Sequence, residues 1–266
     1  AEFISKYYDA MINWEERFEY EFPSLFRIFT REKVKKVLDL GVWTGYFSIG
    51  LVQEGVQVLG LDQNSRMIDE SNEKKKNLPK KLQENIEFKV SDFTDIKKIT
   101  NGKYDAVISM GNSLLYLPGD TEKIFQQASD VLREQGIVVL QILNIQKILE
   151  RKGRLLNFKI QKSKEGMASE HLFVETLDKK SEHMVDHNLM VFDSDGENWI
   201  YKGMTSVPIK YLKQDDIQTL LEKTGFTDIS FAGYNGDYQG EYGPMSFIKP
   251  YEQKTSDWMT VNAKKK

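Results

Sequence analysis

The stretch "KVLDLGVWTGYFSIGLVQEGVQVLGLDQN" (36–64) constrains the fold more than any other part of the chain. Two short runs of branched apolar residues flank a glycine-containing turn and an apolar helical segment. A parallel neighbour cannot be reached by a hairpin, so this order commits the chain to crossovers and to a sheet covered by helices. The same grammar recurs. "NIEFKVSD", "YDAVISM" and "IVVLQIL" predict third, fourth and fifth strands, with the helix "TEKIFQQASDVLREQG" ending at Gly136 before the last of them. "DISFAGY" and "SDWMTVNA" predict two further strands near the end of the chain. The expected class is α/β, a Rossmann-like seven-stranded, mainly parallel sheet with helices on both faces.

Two segments stand outside that pattern. Residues 4–30 carry apolar and aromatic side chains at helical spacing interrupted by Pro23, which predicts two short amphipathic helices. After residue 147, "HLFVETLD", "HMVDHNLMVFD" and "NWIYKGMTSVPIKYL" read as strands, the last two separated by the turn "DSDGE". The expected organisation is an N-terminal helical lid (1–30), a core (31–146 and 213–266) and a small antiparallel insertion covering the substrate (147–212). The long loop "NGDYQGEYGPMSFIKPYEQKT" has the length at which loops in compact domains carry function.

Composition removes several classes of function. With 37 Lys and Arg against 40 Asp and Glu, the net charge of -3 creates no field attracting nucleic acid or an anionic membrane. The absence of cysteine excludes disulfides, thiolate metal sites and cysteine nucleophiles. No apolar run approaches the roughly 20 residues that span a bilayer, and "AEFISKYYDA" lacks a signal-peptide layout. The expectation is a cytoplasmic protein with neither nucleic-acid nor membrane partners, its oligomeric state left open. Its three histidines have no convincing metal-ligand spacing, so no metal is expected.

The chemistry centres on "DLGVWTG" (39–45). Gly41 and Gly45 allow backbone to approach a ligand, and the following helix offers free N–H groups at its N-terminus. Asp62, 21 residues after Gly41, stands where a carboxylate binds both hydroxyls of a ribose, with Gln63 beside it. A tight turn followed by a capping Asp would give the same pattern without a ligand. Trp43 would crowd a pyrophosphate, which argues against a dinucleotide.

"VLDLGVWTG" followed by "GLDQNSRMI" resembles the first two motifs of the class I S-adenosylmethionine-dependent methyltransferases, and "YDAVISMGNSLLYLP" is similar to the glycine/sarcosine N-methyltransferase branch. The resemblance implies S-adenosylmethionine as cofactor, S-adenosylhomocysteine as product, and the methionine part lying along the turn. It further implies that Gly41, Trp43, Gly45, Asp62, Gln63, Asp92, Phe93, Met110, Ser113 and Tyr116 line the cofactor. Asp92 would meet the adenine amine, and Phe93 would flank the ring. Tyr8 and Arg17 would close over the cofactor, Arg17 gripping its carboxylate. Asn112 and Tyr211 are the implied catalytic residues, with Asn144 and Tyr201 joining them against the acceptor.

One departure bears on the substrate. Where this branch carries an arginine for the acceptor's carboxylate, "LQILNIQKIL" has Leu143, so either Lys147, Arg151 or Arg154 substitutes or the acceptor is not glycine. The reading is methyl transfer to a small-molecule acceptor, an amine nitrogen in first place, by in-line displacement. An O-methyltransferase, for which His183 or His187 is a candidate base, and a non-catalytic S-adenosylmethionine-binding protein are the alternatives.

Overall fold

The computed structural model describes residues 2–151, 153–163, 169–234 and 249–266. The expected functional loop falls largely on 235–248, outside the described residues.

Two helices precede the sheet, α1 (Glu2–Met11) and α2 (Trp14–Glu32). They part at Asn13, whose side chain accepts the Glu16 N–H, and not at Pro23, which lies inside α2. An interior proline costs about 3 kcal/mol. Packing offsets that cost. Leu25, Ile28 and Phe29 are buried, while Phe22 stands edge-on to Phe47 of the next helix at 5.3 Å between ring centroids.

The core runs β1 (Lys36–Leu40), α3 (Tyr46–Gln53), β2 (Gln57–Asp62), α4 (Ser65–Lys76), α5 (Lys80–Gln83) and β3 (Ile86–Val90). It continues through α6 (Ile96–Ile99), β4 (Tyr104–Ser109), α7 (Ser113–Tyr116), α8 (Thr121–Val131) and β5 (Leu132–Leu143). Then come α9 (Ile145–Glu150) and four strands, β6 (Leu155–Lys162), β7 (Glu170–Lys179), β8 (Met184–Ser194) and β9 (Trp199–Lys210). The chain returns through α10 (Gln214–Lys223), β10 (Phe226–Tyr234) and β11 (Trp258–Lys265).

The large sheet has the order β10-β11-β5-β4-β1-β2-β3; β1 to β5 are parallel, β11 runs antiparallel to β5, and β10, antiparallel to β11 at the edge, runs in the direction of β1 to β5. The seven-stranded α/β fold expected from the sequence is therefore present. Two boundaries differ. Helix α8 stops at Val131, and residues 132–136 join β5, because Leu132 pairs with Tyr104 and a register shift with Gln135 at φ 59° carries the chain on to the Ile137–Ala106 pair. Strand β6, which the sequence reading missed, pairs antiparallel with β7 at the edge of the small sheet β6-β7-β8-β9. Its exposed Leu155, Phe158 and Ile160 gave no burial alternation to recognise.

The small sheet is anchored at both ends. Phe173, Leu189 and Val191 pack with Ile4 and Tyr7 of α1, while Leu177, Val185 and Ile209 join the core below. This places α1 and the small sheet beside the C-terminal edge of the parallel strands.

One buried acid lies beneath that edge. Asp39 of β1 is buried and accepts the Ser48 hydroxyl of α3 at 2.6 Å. Burial pushes its carboxyl up to about 7, against the Ser48 hydrogen bond and the Arg17 charge, which lower it, and with the Asp62 charge, which raises it. The folded state thus holds a proton that the unfolded chain releases near the ordinary value of 3.8, so this group's contribution to stability falls as pH rises from about 4 to about 7 and is level above. Asp39→Asn keeps a neutral, hydrogen-bonding group there. Its melting-temperature gain over wild type should grow from pH 5 to pH 8; a gain independent of pH would remove Asp39 as the titrating group.

Candidate functional site

Strand β1 lies between β2 and β4, so the crossovers leaving this region go to opposite sides. Such a switch point opens a crevice at the carboxyl ends of the strands, where open α/β sheets bind ligands. The ends of β1, β2, β3 and β4 bring the turn 41–45, Asp62, Asp92 and Gly111 to that edge.

The turn is shaped around its neighbours. Gly41 has φ 81°, and a Cβ there would come within 2.8 Å of the Ser113 Cβ, so this position requires glycine. The Asp62 carboxylate accepts the Trp43 N–H at 3.0 Å through Oδ2 and the Asn64 N–H at 2.9 Å through Oδ1. Burial raises Asp62 above the usual carboxylate range, although the N–H groups of Asn64, Trp43 and Gln63 act to lower it.

Trp43 itself has φ 53°, an uncommon conformation for a residue with a side chain. Its indole turns into the crevice. The indole N–H donates to Ser113 Oγ at 3.0 Å, and the ring stacks on Tyr8 with centroids 4.6 Å apart and planes 4° from parallel. Tyr116 meets it edge-on at 5.1 Å. Next along the turn, Thr44 donates its hydroxyl to Asp9 of α1, which also pairs with Lys74 at 2.8 Å. Helix α1 is therefore tied to the turn and to α4 by side-chain bonds.

Arg17 arrives from α2. Its Nε donates to Glu21 at 3.0 Å, and the guanidinium lies between the rings of Trp14 and Phe47. A Cβ on Gly111 would stand 2.7 Å from a guanidinium nitrogen, so Arg17 closes directly on the end of β4. Gln141 of β5 accepts the Gly111 N–H and donates to Glu21 and to the Tyr234 oxygen. The second Glu21 oxygen, Oε2, is buried and has no hydrogen-bond partner among the described residues.

The structure thus brings together Tyr8, Arg17, Gly41, Trp43, Gly45, Asp62, Ser113 and Tyr116. Others named from the sequence lie differently. Phe93 is fully buried in the core, where it packs with the apolar cluster beneath the sheet, and Met110 is buried in the cluster on the other face. Asp92 is exposed and accepts both the N–H and the hydroxyl of Thr94, and Gln63 is also exposed. Asn112, at φ 72°, accepts the Leu143 N–H at 3.0 Å. The Asn144 amide is spent on its surroundings, donating to the Gln253 and Ser256 carbonyls and accepting the Lys147 N–H at the start of α9. Tyr201 is 56% exposed on the outer strand β9 and packs with Phe192, away from the crevice, whereas Tyr211 is buried in the core.

Two sets of contacts escaped the sequence reading, although Tyr116 and His187 were each named in it. Tyr116 hydrogen-bonds to His187 Nδ1 at 2.7 Å, and His187 Nε2 to Glu175 Oε2 at 2.8 Å, which joins the small sheet to the crevice. The Glu21–Gln141 pair behind Arg17 was equally invisible, since 120 residues separate its members. Among the described residues no cluster of His, Asp and Glu could hold a metal ion, and no helix is long and apolar enough to cross a membrane.

Comparison with known proteins agrees with this geometry. The glycine/sarcosine N-methyltransferase of Aphanothece halophytica is 28% identical over 244 residues, covering 90% of this chain and 83% of that protein. An S-adenosylmethionine-dependent methyltransferase from Clostridium acetobutylicum ATCC 824 superposes with a TM-score of 0.70 at 16% identity, over 99% of this chain and 96% of that one. CalS10, an amino pentose methyltransferase from Micromonospora echinaspora, does so with a TM-score of 0.66 at 13% identity, over 100% and 97% of the two chains. A family model described as a methyltransferase domain matches residues 31–225. The chain therefore belongs to the methyltransferase domain family and is an S-adenosylmethionine-dependent methyltransferase.

Proposed function

We propose that the protein transfers a methyl group to the nitrogen of a small amine that carries no carboxylate beside it. The observation behind this reading is the state of the cations near Leu143. Leu143 is buried and apolar; Lys147 and Arg151 both pair with Asp257, and Arg154 pairs with Asp178. Each cation that could replace the missing arginine already faces a carboxylate. The 28% identical relative is named for glycine and sarcosine, which supports nitrogen as the acceptor atom without extending to an amino acid.

The residues at the crevice fit the cofactor in their donor set. Asp62 is oriented by two backbone N–H groups and keeps acceptor capacity on both oxygens for ribose hydroxyls. Arg17 at Gly111 offers a planar guanidinium to a carboxylate. Asp92 stands exposed as an acceptor for an amino group. Trp43 lies among these groups, between Tyr8 and Tyr116, and forms an aromatic wall of the site. The bound sulfonium supplies an already activated methyl group. What the protein adds is position: Tyr8, Arg17, Asp62 and Trp43 restrict the cofactor, and the small sheet shields the acceptor from water. Holding two reactants in line can contribute roughly 7 to 11 kcal/mol.

Calorimetry should show S-adenosylhomocysteine binding that Asp62→Ala abolishes; retention of wild-type affinity would refute the ribose role. Arg17→Ala should weaken S-adenosylhomocysteine by about tenfold or more, consistent with a charge-assisted bond, while leaving adenosine nearly unaffected. Equal losses would place Arg17 elsewhere. Cofactor binding should change tryptophan emission in wild type and not in Trp43→Phe, since the indole stands in the site. A screen of amines, amino acids and phenols, read by S-adenosylhomocysteine production, should select an amine lacking a carboxylate. Preferred turnover of glycine would overturn that assignment, and tight cofactor binding with no turnover would favour a binding protein.

A further inference from the structure

We propose that Tyr116, His187 and Glu175 form a proton relay that removes the proton from the acceptor nitrogen. This rests on the reading of an amine acceptor. An alkyl amine in neutral water is an ammonium ion without a lone pair to give, so a base must act before or during the displacement.

The geometry sets the direction of the chain. A carboxylate can only accept a hydrogen bond, so in the 2.8 Å contact His187 Nε2 carries the hydrogen and donates to Glu175. In the neutral imidazole this leaves Nδ1 bare, and it accepts the Tyr116 hydroxyl at 2.7 Å. The order Tyr116 to His187 to Glu175 is that of a hydroxyl, an imidazole and an orienting carboxylate. His187 is buried, while Tyr116 keeps part of its surface accessible at the crevice beside Trp43. The other Glu175 oxygen accepts the Asn157 amide at 3.1 Å, which fixes the carboxylate. Among the described residues, Lys159 of β6 interacts through its charge with Glu175, and Tyr8 of α1 with Tyr116. Burial holds the Tyr116 hydroxyl above its ordinary range, so the proton does not leave a free tyrosinate behind.

The acceptor ammonium gives one proton to the Tyr116 oxygen as the Tyr116 proton passes to His187 Nδ1, and the imidazolium stays hydrogen-bonded to Glu175. The freed nitrogen pair forms the N–CH3 bond while the S–CH3 bond breaks and its electron pair remains on sulfur. His187 then returns the proton through Tyr116 to solvent. Tyr116 is the catalytic residue here, and His187 and Glu175 act through it.

A tie that merely held α7 to the small sheet would share the geometry and differ in pH dependence. With ethanolamine and the other primary amines of the screen as acceptor probes, kcat and KM are measured from pH 6 to 10 for wild type, Tyr116→Phe, His187→Asn and Glu175→Gln. The relay predicts a kcat loss of about 10²-fold or more at pH 7 for the first two variants, shrinking as pH passes the amine's own pKa, with S-adenosylhomocysteine affinity retained in His187→Asn. A loss constant with pH, no loss, or no turnover of any amine overturns the relay. Nitrogen NMR of histidine-labelled protein with S-adenosylhomocysteine supplies a readout without turnover. A bare Nδ1 and protonated Nε2 at His187 are expected, and the opposite tautomer sinks the proposal. If S-adenosylhomocysteine fails to bind at all, it is the methyltransferase reading that fails.

Discussion

The hydrogen bond from the Trp43 N–H to the Asp62 carboxylate ties the end of β2 to the turn after β1, and the arrangement of the site depends on it. It orients the carboxylate from within the protein. By holding Trp43 at a positive φ it also sends the indole inward, where Ser113, Tyr8 and Tyr116 receive it. Three separate elements, α1, the turn and α7, thereby meet on one side chain. A residue that breaks the usual glycine spacing has become the centre of an aromatic wall.

Charge is managed in the same way, by pairing it before any ligand arrives. Arg17 is held by Glu21 and flanked by Trp14 and Phe47, and Gln141 links that pair to the backbone of Gly111. A guanidinium positioned in advance loses less side-chain freedom on binding an anion. Asp39 beneath the turn is the opposite case: a buried acid with a hydroxyl partner, whose proton is retained well above the ordinary range.

The small sheet contributes more than a cover. Its inner residues anchor α1 on one side and the core on the other, and from between them His187 reaches Tyr116. Cross-strand packing of β7 and β8 brings Glu175 within reach of His187, although the two lie 12 residues apart in sequence. The crevice is thus bordered by the core on one side, through the turn and Asp62, and by the small sheet on the other, through His187 and Glu175.

The parallel sheet, the switch-point turn and Asp62 were legible without the structure, because crossover connections and local periodicity are written in neighbouring residues. The sequence misjudged what tertiary contact decides. Pro23 looked like a helix break, but the apolar contacts of α2 outweigh one lost hydrogen bond. Residues 132–136 looked helical, yet pairing with β4 draws them into a strand. Strand β6 was hidden because its exposed residues alternate with nothing buried. At the site, Asn144 and Tyr201 were named from the resemblance, and only the fold showed one capping α9 and the other facing outward. His187 was named as a candidate base, but nothing local pointed to its contacts with Tyr116 and Glu175. Hydrogen-bonded side chains from different strands are brought together by register, and register is set by the packing of whole sheets.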